Sequence, residues 1–326
     1  MKRLLTFLVK AAVSAFLLYL SLRGVNLPSI KQRLGGLDLR WLAFSLFILC
    51  AQTFLLALRW REIALICGAK LRYSRALSYT FIGQFFSQVL PSTVGGDAAR
   101  VWLLARGRAG WRIAIYSVFT DRVVGVSVLA VLVVACLPWT LNLIQDPIAR
   151  AALALVSVGM VAGSIMFFAL GATHLRAMER WWITRHLAGA SHVAWRLCRS
   201  VTGARVAAYS IVIHLMTVLA AWGAAIAAHA DVDLVLVLFL VPPVILIATI
   251  PVSIAGWGVR ESAMMLAFSF AGLAGTDGLI VSILLGIVTL VVGTIGGIVW
   301  LFDGYMWRLT KNAGIESVPR RGLRPG

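Results

Sequence analysis

The sequence predicts an all-α polytopic membrane protein: six transmembrane helices and two re-entrant broken-helix hairpins, arranged as an inverted repeat. Three observations carry this. Hydrophobic residues make up 61% of the 326 and charged residues 13%, with mean hydropathy +0.93, whereas a soluble domain averages about 45–50% apolar and about 25% charged. The apolar residues form long blocks with charges crowded between them, unlike the short alternating segments of an outer-membrane barrel. Finally, a proline–glycine–arginine break occurs twice, in two blocks too interrupted to span as single helices.

In chain order, the first span is 4–22, behind the basic start Met1-Lys2-Arg3 and with no clear A-x-A-like cleavage site, so it reads as an uncleaved helix. The second, 41–58, stops at Arg59-Trp60-Arg61, which reads as an interfacial anchor. Block 76–104 is apolar from Ala76 to Leu90 and then breaks at Pro91-Ser92-Thr93-Val94-Gly95-Gly96-Asp97. Spans at 113–137 and 148–170 follow, then the basic stretch 173–202, expected as a cytoplasmic amphipathic helix with Trp181, Trp182 and Trp195 at headgroup level. After the span 206–229, block 234–274 contains Pro242-Pro243, expected to kink its first arm, then Pro251, Gly256-Trp257-Gly258 and Arg260-Glu261. The last span, 278–302, is rich in glycine (Gly286, Gly293, Gly296, Gly297), a sign of close helix packing. Residues 1–305 thus form a single membrane domain, and 306–326 a basic cytoplasmic tail expected to be disordered. Pro91 and Pro251 end their half-helices by removing a donor and crowding the preceding turn. Gly95, Gly96, Gly256 and Gly258 let the backbone reverse, or bring N–H groups to an anion.

Charge bookkeeping supports the two hairpins. With both re-entrant and the N-terminus cytoplasmic, the inner side receives 23 of the 30 Lys and Arg and the outer side 5, leaving Arg122 and Arg260 in the membrane. A full crossing by 76–104 would move the basic 100–112 segment outside and destroy that asymmetry. Residues 90–100 also align with 250–260, with Pro, Gly and Arg coinciding, and the spans at 41 and 113 recur at 206 and 278. The halves, about 1–140 and 145–305, therefore have opposite orientation, with hairpins entering from opposite sides.

The net charge of +18 gathers at block ends, where topology and anionic headgroups explain it better than nucleic acid does. Cys50, Cys67, Cys136 and Cys198 form no C-x-x-C pair, so neither a disulfide framework nor a metal site is expected. An ionisable residue inside a membrane block costs about 2.5–3.5 kcal/mol on insertion scales, so it pairs or lines a wet cavity. The candidates for substrate binding are Asp97, Arg100, Asp121, Arg122, Arg260 and Glu261. One reading has the arginines receive a phosphate while the carboxylates balance or relay charge; the other has internal ion pairs that hold the hairpins to the bundle. His214, Gln52, Gln84 and Gln88 read as hydrogen-bonded packing between helices. No P-loop, metalloprotease or nucleophile-elbow motif occurs, so no catalytic residue and no cofactor is expected.

The segments FFSQVLPSTVGGDAARVWLLAR, DRVVGV and PVSIAGWGVRESA occur in that order. The chain resembles, across about 1–305, the flippase-like integral-membrane domain of lysylphosphatidylglycerol synthases. The first motif carries Pro91, Gly95, Gly96, Asp97 and Arg100, the second Asp121 and Arg122, and the third Gly256, Gly258, Arg260 and Glu261. The resemblance implies movement of a lipid between leaflets of a bacterial inner membrane, and the charge bookkeeping above puts both termini in the cytoplasm. The family's aminoacyltransferase domain has no counterpart here, which implies a stand-alone translocase of modified phospholipids or polyprenyl-phosphate-linked glycans. Two alternatives stay open: a membrane-embedded lipid-modifying transferase, and a noncatalytic partner of a separate lipid synthase that it recruits through 171–205.

Overall fold

A computed structural model describes residues 35–90, 94–173, 182–249 and 258–312. These form ten α-helices and no strand. They are α1 (Leu39–Ile66), α2 (Tyr73–Val89), α3 (Gly95–Leu104), α4 (Trp111–Leu143), α5 (Pro147–Leu170), α6 (Trp182–Cys198), α7 (Val201–Ala227), α8 (Leu234–Ala248), α9 (Val259–Phe270) and α10 (Gly275–Asn312), with a π turn, Ala105–Ala109, after α3. Five of them, α1, α4, α5, α7 and the Gly275–Phe302 part of α10, are long and apolar enough to cross a membrane. They correspond to the expected spans from 41 onward; the expected span 4–22 lies outside the described residues. The two broken blocks become the helix pairs α2–α3 and α8–α9.

Polar side chains set the helix starts. Asp38, Asp146 and Asp233 each accept a backbone N–H at the start of α1, α5 and α8, and Ser200 does the same for α7. Pro147 fits the first turn of α5, where no N–H is needed. Pro242 and Pro243 lie buried inside α8, which continues through them. Pro243 leaves the Phe239 carbonyl without its helical donor, and the Thr140 hydroxyl of α4 shares its one hydrogen between that carbonyl at 3.3 Å and its own helix's Cys136 O at 3.1 Å.

α1 and α7 run antiparallel along their whole length. Asp38 N–H bonds Ala227 O, Ser45 Oγ donates to Ala220 O, and Gln52 Nε2 donates to Ile213 O. The remaining packing follows a pattern of counterparts. α2 lies on α10 as α8 lies on α4; α3 meets α4 as α9 meets α10; and α1 touches α2 and α4 as α7 touches α8 and α10. α10 is central, with 61% of its spanning window buried, whereas α5 has 11% and turns Ile148, Leu155, Val158, Ile165 and Met166 outward.

One end of the bundle gathers the turn after α1, the π turn and α6. Arg196 of α6 donates to Ile66 O at the last turn of α1, and His186 bonds the Tyr116 hydroxyl of α4. α6 turns Ala190, Val193, Ala194 and Leu197 onto the bundle, so that apolar face packs on protein. Trp181 lies outside the described residues. α10 runs on to Asn312. The rest of the expected tail, from 313, lies outside the described residues.

Candidate functional site

The hairpin α2–α3 closes so tightly that only glycine fits at its crossing. A Cβ on Gly96 would sit 2.2 Å from Gly83 O and 2.0 Å from Ser87 Oγ. Gly95 is likewise buried against α2, while Pro91 lies outside the described residues. This close approach carries Arg100 past Gly83 to the inner face of α4. There Arg100 Nη2 bonds Asp121 Oδ2 at 2.8 Å, and Arg59 Nε of α1 bonds Asp121 Oδ1 at 2.8 Å. The Arg100 guanidinium also lies over the Trp60 ring at 4.5 Å, a favourable cation–π placement. Arg59 Nη1 reaches Ser210 Oγ of α7. Asp121 is 1% exposed and, ten residues into α4, lies about 15 Å along it. One buried carboxylate therefore ties together α1, α3 and α4. Beside it, Arg122 Nε donates to Asp97 Oδ2 and pins the first turn of α3, with the Arg122 side chain half exposed.

The second hairpin carries a separate network. Gly258 has φ +86°, a conformation that L side chains rarely adopt. Its N–H donates to Glu261 Oε2 at 2.7 Å, which caps α9. Arg260 Nη2 bonds Glu261 Oε1 at 2.6 Å, Arg260 Nε donates to Ser282 Oγ of α10, and Ser282 donates to Glu261 Oε1. Glu261 is fully buried, but Arg260 also faces a cavity of about 250 Å³. Pro251 and Gly256 lie outside the described residues.

That cavity lies where both halves meet. Its polar lining is Gln52 of α1, Gln84, Ser87 and Gln88 of α2, Thr217 of α7 and Thr289 of α10. Leu49, Ile245, Leu285 and Val292 supply apolar wall. The glutamines do bond between helices as expected, Gln52 to α7 and Gln84 to Thr53 of α1, and His214 bonds Gly125 O of α4. Their convergence on one cavity was not read from sequence. The available signal was Gln84, Ser87 and Gln88, which share a helix face at i, i+3 and i+4.

Of the six substrate-binding candidates, the structure joins Arg100 with Asp121, Arg122 with Asp97, and Arg260 with Glu261. Only Arg260 is in the described cavity lining. The sequence reading of Arg59-Trp60-Arg61 as an interfacial anchor is corrected: α1 continues to Ile66, Arg59 is 6% exposed and Trp60 fully buried. The cause is Asp121, which receives Arg59 from a position 62 residues away.

A family model described as the lysylphosphatidylglycerol synthase TM region matches residues 7–297. The chain belongs to this family. Comparison with curated proteins and with solved structures gave no match.

Proposed function

We propose that the chain is a lipid translocase of the bacterial cytoplasmic membrane, moving a phosphate-bearing lipid between leaflets. The observation that carries this reading is Arg260, a guanidinium held by Glu261 and Ser282 at the wall of a polar cavity between two halves. The family supports a lipid-related membrane role. The counterpart packing of α1–α4 and α7–α10 supports an inverted repeat, in which a midplane cavity opens to one leaflet at a time. α2, α3, α8 and α9 have 17, 10, 15 and 12 residues. Each is thus shorter than about 30 Å of hydrocarbon at about 1.5 Å per residue, which supports re-entrant hairpins over full crossings.

In this reading the headgroup phosphate binds Arg260 while the lipid chains stay in the bilayer. Arg100, held by Asp121 and Trp60, anchors α3 rather than meeting the phosphate. Asp121 and Glu261 act as counterions, since each accepts bonds from at least two donors. With the cell interior negative, one net negative charge moves outward downhill by about 2.3 kcal/mol per 100 mV.

The test is purified protein in liposomes containing headgroup-labelled lipids and an impermeant quencher. Translocation exposes the inner-leaflet label, and Arg260→Ala, melting in the same range as the parent, should slow exposure at least about tenfold. Full protection in the parent, together with turnover of lipid plus donor in detergent, would replace this reading by the transferase.

A further inference from the structure

The cavity has an uneven hydrogen-bond inventory. A hydroxyl has one hydrogen to donate, and the cavity's hydroxyls have used theirs on their own helices: Ser87 to Gly83 O, Thr217 to Ile213 O and Thr289 to Leu285 O. Gln52 Nε2 donates to both Ile213 O and Thr217 Oγ1, and since a carbonyl only accepts, the amide's orientation is set. Gln84 Nε2 donates to Thr53 Oγ1, whose own hydrogen goes to Leu49 O, so that amide is oriented too. What Gln52, Thr217 and Thr289 have left for a ligand is oxygen lone pairs, while Gln84 keeps one amide hydrogen and Gln88 brings both of its own, so acceptors outnumber neutral donors. The charged donor in the described lining is Arg260, and no Asp or Glu is among the lining residues.

Charge points the same way. The one charged side chain in the described lining is the Arg260 guanidinium, with its partner Glu261 fully buried behind it. In a low-dielectric interior an anionic group on the occupant is attracted to that guanidinium, whereas a cationic one is repelled by it.

We infer that this cavity selects a phosphodiester headgroup bearing a hydroxylated, amine-free substituent, glycerol or a sugar. The phosphate meets Arg260, and the substituent's hydroxyls, which both donate and accept, meet the lone pairs of Gln52, Thr217 and Thr289 and the amides of Gln84 and Gln88. A choline headgroup offers no hydrogen to those acceptors. An ammonium headgroup offers hydrogens but brings positive charge to a wall without a carboxylate. The inference rests on the translocase reading in placing the headgroup in this cavity, yet binding can be measured apart from transport.

The experiment is lipid competition on the purified full-length protein in nanodiscs, read by native mass spectrometry, alongside the leaflet assay. The probes are phosphatidylglycerol, a glycosyl-phosphoryl polyprenol, phosphatidylethanolamine, phosphatidylcholine and aminoacylated phosphatidylglycerol. One or both of the first two should be retained at least about tenfold better than the other three, and which of them is retained separates the glycerol from the glycan source. Gln88→Glu, which places a carboxylate in the lining without removing a bond given above, should erase that preference and admit the amine-bearing lipids. Equal or better retention of amine-bearing lipids by the parent overturns the inference, as does an unchanged preference in Gln88→Glu. Correct retention without leaflet exchange would leave the inference standing and overturn the translocase.

Discussion

Asp121 serves two arginines at once, so its loss and theirs should not be equal. Removing the carboxylate strands both Arg59 and Arg100 in the interior, and breaking a buried ion pair costs about 3–5 kcal/mol. Removing Arg59 alone leaves Asp121 still paired with Arg100. Melting in detergent should therefore rank Asp121→Ala well below Arg59→Ala, and Asp121→Ala/Arg59→Ala should melt above the sum of the single losses. Additive losses would mean that the two side chains do not share a network. At the same end of α1, burial pushes the Cys67 thiol up to about 12 against the opposing field of Arg196. A raised value leaves the unreactive thiol dominant at neutral pH, so Cys67 should resist maleimide until the solution is strongly alkaline. Labelling of Cys67 at pH near 7 in folded protein would contradict that burial. At this scale the sequence was half legible. Ionisable residues in apolar blocks announced themselves, but which arginine meets which carboxylate depends on helices that only the packed bundle brings together.

Helix boundaries were more legible, because apolar blocks and capping residues are local signals. The break at 90–97 was plain from Pro91 and Gly95-Gly96, and α2 and α3 do flank it. The reason for glycine there was open between a hinge and an anion nest, and the close crossing of α2 and α3 supplies a steric one. Gly96→Ala should lower stability by about 1–3 kcal/mol through overpacking against Gly83 O, while Gly159→Ala on α5, with open space around it, should melt like the parent. Gly296 behaves like Gly96, since a Cβ there would lie 1.9 Å from Phe81 O, as close packing of the last span requires. The Pro242-Pro243 pair was expected to kink its helix, but its visible consequence is the carbonyl of Phe239, satisfied from a different helix. Thr140→Val keeps the shape and removes the hydroxyl that Phe239 O shares with Cys136 O, at a cost of about 0.5–1.5 kcal/mol. An unchanged melting temperature for Thr140→Val would mean that Phe239 O finds another donor.

The orientation of the whole molecule follows from where its ends collect charge. The turn after α1, the π turn and α6 share one end, and the segments they belong to, 59–75, 100–112 and 171–205, hold 15 of the 30 Lys and Arg. The opposite end joins α1 to α7 through Asp38 N–H to Ala227 O and His229 to Gly36 O. α2–α3 is rooted at the first end and α8–α9 at the second, the arrangement that the proposed inverted repeat requires. Under the proposed function, the positive-inside bias would put the first end in the cytoplasm. Cys198, exposed on α6, should then react with an impermeant maleimide in inverted vesicles and be protected in right-side-out ones. In a chain otherwise free of cysteine, Asp231→Cys, at an exposed position between α7 and α8, should give the reverse pattern. Reaction of both sites from one side would break the opposed-hairpin arrangement itself, and with it the midplane cavity. Reversal of both sites together would keep the architecture and turn it over. Arg260 would then belong to the hairpin that enters from the cytoplasm.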